Sequence, residues 1–114
     1  MRNATFLTSC LVISLTLVSC TKQAENKSLP TSVEAQFMSS DQEIGKMLAD
    51  LNNQNVPLQR KRVILCKTYP DVYKKQYMPA LLKLSPNVYN EQTLTRDFEA
   101  VISFYKKTFV VNCG

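Results

Sequence analysis

Glycine occurs only twice in 114 residues, at Gly45 and at the final position, and this scarcity constrains the fold more than any other feature of the chain. A turn-dense all-β sandwich and a Gly-rich phosphate loop both need backbone conformations that glycine supplies without steric cost, and a collagen-like repeat needs glycine at every third position. Helices are what remains. A hydrophobic fraction of 45 % beside 20 % charged residues belongs to a chain that folds, and the length suits one small domain. Histidine is absent, so the commonest general base, the commonest zinc ligand and any Ser-His or Cys-His pair are missing together.

Met1-Arg2 precedes an uncharged apolar run from Ala4 to Val18. Such a run reads as the core of a signal peptide, and it falls short of the roughly 20 apolar residues that a spanning helix needs. It ends in Leu17-Val18-Ser19-Cys20, which resembles the lipobox of bacterial lipoprotein precursors at all four positions. The resemblance is confined to this targeting segment. It implies cleavage before Cys20, a diacylglycerol thioether on the Cys20 sulfur and an acyl chain on the new amine, with the thiol as nucleophile. Two or three acyl chains tether a domain to a bilayer without spanning it. Thr21 stands where an aspartate would resemble an inner-membrane retention signal. The expected location is therefore the periplasmic face of the outer membrane. The chain divides into a signal peptide at 1–19, a lipidated tether at 20–39 and a folded domain at 40–114.

Residues 21–39 are polar, carry Pro30 and show no sustained period, so they read as a flexible tether reaching roughly 23 Å as a random coil. Val33 and Phe37 are candidates for docking it partly. Ser40-Asp41-Gln42-Glu43 has the form of a capping box, and Ile44, Met47, Leu48 and Leu51 then fall on one helical stripe that Asn52-Asn53 can end. A second element starts near Val56-Pro57 and contains Val63-Ile64-Leu65-Cys66, a run that fits a helix or a strand, the helix being favoured. Thr68-Tyr69-Pro70-Asp71 resembles a new helix start with proline in its first turn, and Pro79 is expected to kink or split the helix that follows. Asn90 or Thr93 can open a last helix, in which Leu94, Phe98, Val101, Ile102, Tyr105 and Phe109 give the clearest helical period in the chain. The fold class is mainly α: a small domain of three to four helices after a lipidated tether.

Cys10 leaves with the signal and Cys20 carries the lipid, so Cys66 and Cys113 remain as partners in an oxidising envelope. They are expected to form one disulfide that closes the domain. Without a C-x-x-C spacing or a histidine, neither a redox pair nor a metal site is favoured.

The closest acidic pairs, Asp41/Glu43 and Asp97/Glu99, are two residues apart, a spacing that turns the carboxylates away from each other on a helix. No nucleophile elbow, P-loop or calcium loop is present. The expectation is a protein without enzymatic activity, cofactor or metal. Charge is asymmetric. Residues 51–90 hold seven bases against the single acid Asp71, whereas residues 25–50 hold five acids against two bases. The basic knots are Arg60-Lys61-Arg62 with Lys67, Lys74-Lys75, and Lys106-Lys107. Solvated helix faces would account for them, as would an acidic protein surface, anionic lipid or cell-wall polymer. Tyr69, Tyr73 and Tyr77 recur every four residues and suit either a core edge or an interface. Candidate partner-binding residues are Arg60, Lys61, Arg62, Lys67, Tyr73, Lys74 and Tyr77.

The functional expectation is a membrane-anchored periplasmic lipoprotein serving as a non-enzymatic binding or accessory component of an envelope assembly. Its partners are the lipid bilayer through Cys20 and an envelope protein, an acidic one where the basic knots meet it; nucleic acid is not expected. The alternative is an immunity or inhibitor protein that neutralises a periplasmic toxin or hydrolase.

Overall fold

Thr31 opens the described part of the chain, residues 31–114 of a computed structural model, so the expected signal peptide at 1–19, the expected lipid site Cys20 and residues 21–30 lie outside the described residues. The Thr31 hydroxyl accepts from the Glu34 N–H at 3.2 Å, and the Glu34 carboxylate accepts from the Thr31 N–H at 2.9 Å. This reciprocal pair starts helix α1, Ser32–Asn52. The start expected at Ser40 is therefore corrected: residues 32–39 are helical, not tether. Ser40 is fully buried, and its Oγ donates to the carbonyls of Gln36 at 2.7 Å and Phe37 at 3.0 Å. A serine satisfied by its own helix can sit in the apolar stripe, which now runs Phe37, Ser40, Ile44, Met47 and Leu51.

After a turn at residues 53–57, α2 (Leu58–Val63), α3 (Tyr69–Val72) and α4 (Met78–Leu84) follow, joined by π turns at Ile64–Thr68 and Tyr73–Tyr77. Ile64, Tyr69, Tyr73 and Met78, at the junctions, all keep right-handed helical dihedrals, so residues 58–84 form one continuous middle helix. The Val63 to Cys66 run is helical. The new start expected at Thr68 and the split expected at Pro79 are both corrected, and the physical reason is the same. Tyr69 N–H reaches the Ile64 carbonyl and Met78 N–H reaches the Tyr73 carbonyl, each five residues back, and the next residue is Pro70 or Pro79. A proline ring inside a helix collides with the carbonyl four residues behind and offers no N–H. Widening the turn just ahead of each ring relieves the collision and lets the helix continue.

Helix α5, Glu91–Phe109, begins at Asn90, whose side-chain oxygen accepts from the Thr93 N–H at 2.9 Å. Ser85 terminates α4, and its carbonyl accepts from Val88 and Tyr89 at 3.1 Å each, closing the connection between the helices. Among the described residues there is no strand.

The three helices run up, down and up. Gln36 Nε2 donates to the Gln76 carbonyl at 2.9 Å near one end of α1, while Arg60 meets Asp50 near the other. The Tyr73 hydroxyl donates to the Leu94 carbonyl at 3.0 Å near the start of α5, and its far end joins the middle helix through a Cys66–Cys113 disulfide with Cα atoms 5.4 Å apart. Leu51 and Leu65 are sealed at the centre, with Ile44, Met47, Ile64, Val72 and Ile102 around them. The Tyr73 ring stacks on Phe98 at 4.7 Å, and the Tyr69 ring meets Phe98 edge-on at 5.4 Å. The bundle thus has two unlike ends. One holds the start of α1 and the connection between α4 and α5, here called the entry end. The other holds the turn after α1, the disulfide and the chain after Phe109, here called the disulfide pole.

Candidate partner-binding surface

The seven candidate residues all lie on the middle helix, and packing on two sides of that helix disperses them. Arg60 faces α1, with Nη2 at 2.8 Å and Nε at 3.1 Å from one Asp50 carboxylate oxygen. Lys61 turns toward α5. It is only 6 % exposed, and its ammonium lies 4.4 Å from the centre of the Phe109 ring. Arg62 and Lys67 are exposed and make no ion pair among the described residues. Lys74 is exposed as well, with its ammonium 5.3 Å from the Phe98 ring centre.

The two tyrosines of the set belong to the core. Tyr73 is buried, and Tyr77 is half-buried between Phe37 at 5.4 Å and Tyr73 at 5.2 Å. Burial, reinforced by the neighbouring phenols of Tyr77 and Tyr69 and by Asp97, pushes the Tyr73 hydroxyl up to about 12 from its ordinary 10.0. Tyr69 and Tyr77 shift upward for the same leading reason. All three phenols are held neutral and act as packing groups with a polar tip. Arg62, Lys67 and Lys74 are left as the solvent-facing members of the set that make no ion pair among the described residues, since the exposed Arg60 is paired with Asp50.

A second group of residues, outside that set, is brought by the tertiary structure to the same end of the bundle as Arg62 and Lys67. Neither residues 51–70 nor residues 100–114 contain an acidic side chain. The Cys66–Cys113 bond and the Lys61–Phe109 contact join these two stretches at the disulfide pole. Lys106 and Lys107 enter from the last turn of α5, where positive charge also complements the helix dipole. Neither is ion-paired among the described residues. Apolar side chains stand exposed on the same stretches: Leu58 at 56 %, Phe104 at 63 % and Val110 at 90 %. Lys106, Lys107, Val110, Val111 and Asn112 line a shallow depression of about 310 Å³. A longer groove of about 440 Å³ separates the middle helix from α5, floored by Leu65, Phe98 and Ile102, with Lys74, Glu99 and Lys106 along it. The sequence signal for this pole is the absence of acids from both stretches, but only the disulfide and the Lys61–Phe109 contact make the two absences adjacent.

The carboxylates are spread out. Asp41, Glu43, Asp97 and Glu99 are all exposed, and no group of three or more His, Cys, Asp or Glu side chains converges among the described residues. No helix among the described residues is long and apolar enough to cross a membrane. Fold and surface together define a three-helix, disulfide-closed domain with a cationic pole. Compared with protein-family models, with curated proteins and with solved structures, the chain finds no match.

Proposed function

We propose that the mature protein is a lipid-anchored periplasmic lipoprotein, held by acyl chains on Cys20 at the periplasmic face of the outer membrane, that serves as a non-enzymatic binding or accessory component of an envelope assembly. The observation that carries this reading is the gathering, at one end of the bundle, of Arg62, Lys67, Lys106 and Lys107, none of them ion-paired among the described residues, while the acid at that end, Asp50, is taken up by Arg60. Such a surface steers and orients an acidic partner more than it tightens binding.

The direction of the pole favours a protein partner over the anchoring bilayer. Helix α1 has 21 residues and spans about 30 Å, and the tether joins it at the entry end. An anchor at that end attaches the domain opposite its cationic pole, which leaves the pole free to meet a partner away from the membrane.

The test is a pull-down of the natively lipidated protein from detergent-solubilised membranes, followed by mass spectrometry. Recovery of the same envelope complex with the natural chain, and its loss with Arg62→Glu combined with Lys67→Glu, is the expected result. Recovery of a toxic hydrolase would replace this reading with that of an immunity or inhibitor protein. Unchanged recovery after charge reversal would remove the pole from the interface.

A further inference from the structure

The least expected residue of the pole is Val110. It ends α5 in the left-handed conformation, with φ 54° and ψ 47°, and is the only residue other than glycine with positive φ among the described residues. Its N–H donates to the Lys107 carbonyl at 3.3 Å, and the Val111 N–H donates to the Lys106 carbonyl at 2.9 Å. This pair of bonds is the helix-ending motif that ordinarily places glycine or asparagine at the left-handed position. A β-branched side chain there clashes with its own backbone. Val110 gains nothing from burial in return, because it is 90 % exposed. Packing of the domain therefore does not account for valine at this position.

Its surroundings do suggest a use. Lys106, Lys107 and Val111 share one depression with Val110, no acidic side chain lines it, and Lys61 reaches the same end of α5 through Phe109. We propose that this depression seats an acidic, apolar-bearing peptide segment of the partner protein, with Val110 as the apolar anchor and Lys106 and Lys107 as cationic donors to its carboxylates. The proposal rests on the reading of the protein as a binding component and names the site and chemistry of that binding. Charge complementarity selects the occupant: cations flank an exposed apolar tip, and an acidic segment with interspersed leucines satisfies both.

The probe is a fluorescent, end-blocked peptide of glutamates and leucines, titrated into the natively lipidated protein in neutral detergent and followed by anisotropy. Lys106→Glu with Lys107→Glu is expected to weaken binding by about tenfold or more. Val110→Gly is expected to weaken it by about tenfold while raising the melting temperature, a combination that a purely structural role for Val110 does not produce. Equal affinity in all three proteins, or no binding by the natural chain, would overturn the proposal. Self-association lost in Val110→Gly, or displacement of the peptide by phosphatidylglycerol doped into the micelles, would overturn it in favour of a second copy or a lipid surface. If the peptide results fail while Arg62→Glu with Lys67→Glu still abolishes recovery of the envelope complex, this site is wrong and the accessory role stands.

Discussion

The two ends of the bundle are held together by different forces. At the entry end, neutral packing does the work: Phe37 lies on Tyr77, Gln36 bonds the Gln76 carbonyl, and the Tyr73 hydroxyl bonds the Leu94 carbonyl. At the disulfide pole, a covalent bond, one ion pair, a hydrogen bond from Asn52 to the Tyr105 hydroxyl and a cation over a ring add to the packing of Leu51, while cations and apolar side chains face solvent. The lesson is that a cationic surface repels itself, so the end that carries it adds a covalent tie to burial, where the other relies on neutral packing alone.

Removing the disulfide should break this contrast most severely. A loop with a sequence separation of 47 contributes about 4 kcal/mol in the chain-entropy model, so Cys66→Ala with Cys113→Ala should lower urea-unfolding stability by about 3 to 4 kcal/mol. A loss below about 1 kcal/mol would mean that packing alone holds the pole. The opposite end can be loosened by alkali. Because the folded Tyr73 phenol titrates near 12 and the unfolded one near 10.0, the unfolded chain releases its proton first. Stability should be full below about pH 10 and fall as pH rises toward 12, by between 1 and 2 kcal/mol at about pH 11. Tyr73→Phe should flatten that fall, and an unchanged alkaline slope would place its cause elsewhere.

Smaller effects sharpen the comparison. Val110→Gly should gain about 1 kcal/mol in thermal unfolding by removing the left-handed strain, and a loss would show that the valine packs after all. Asp50→Ala should cost only about 0.5 kcal/mol, since the Arg60 side chain is 65 % exposed and water already screens the pair. A cost above about 2 kcal/mol would make that ion pair a principal fastener of the pole.

Much of the fold is legible in the sequence where a single periodicity runs unbroken. In α5, every residue of the stripe Leu94, Phe98, Val101, Ile102, Tyr105 and Phe109 packs on or within the core. The pairing of Cys66 with Cys113 is legible too, given the lipobox reading of Cys20. The start of α1 is not, because Thr31–Glu34 and Ser40–Glu43 carry the same capping pattern and local chemistry cannot rank them. What decides is Phe37, which finds Tyr77 forty residues away and carries the helix across Ser40. Pro70 reads as the first turn of a new helix and Pro79 as a kink or split under a local rule, yet a π turn before each accommodates the ring inside one helix. The candidate surface is legible only in part. Charge along one helix identifies Arg62, Lys67 and Lys74, but the buried faces of that helix remove Lys61, Tyr73 and Tyr77. Lys106, Lys107 and Val110 join the pole only through tertiary contacts.

The central claim is that the disulfide pole, and not the entry end, meets the partner. Its most direct test places a photo-crosslinking residue, one site at a time, at Arg62, Lys107 and Val110 on the pole and at Lys83, Val88 and Glu91 near the entry end, in the full chain produced in living cells. The expected result is a crosslink from all three pole positions to one and the same envelope protein, with none from the other three. Crosslinks to a shared partner from Lys83, Val88 or Glu91, with the pole silent, would contradict it.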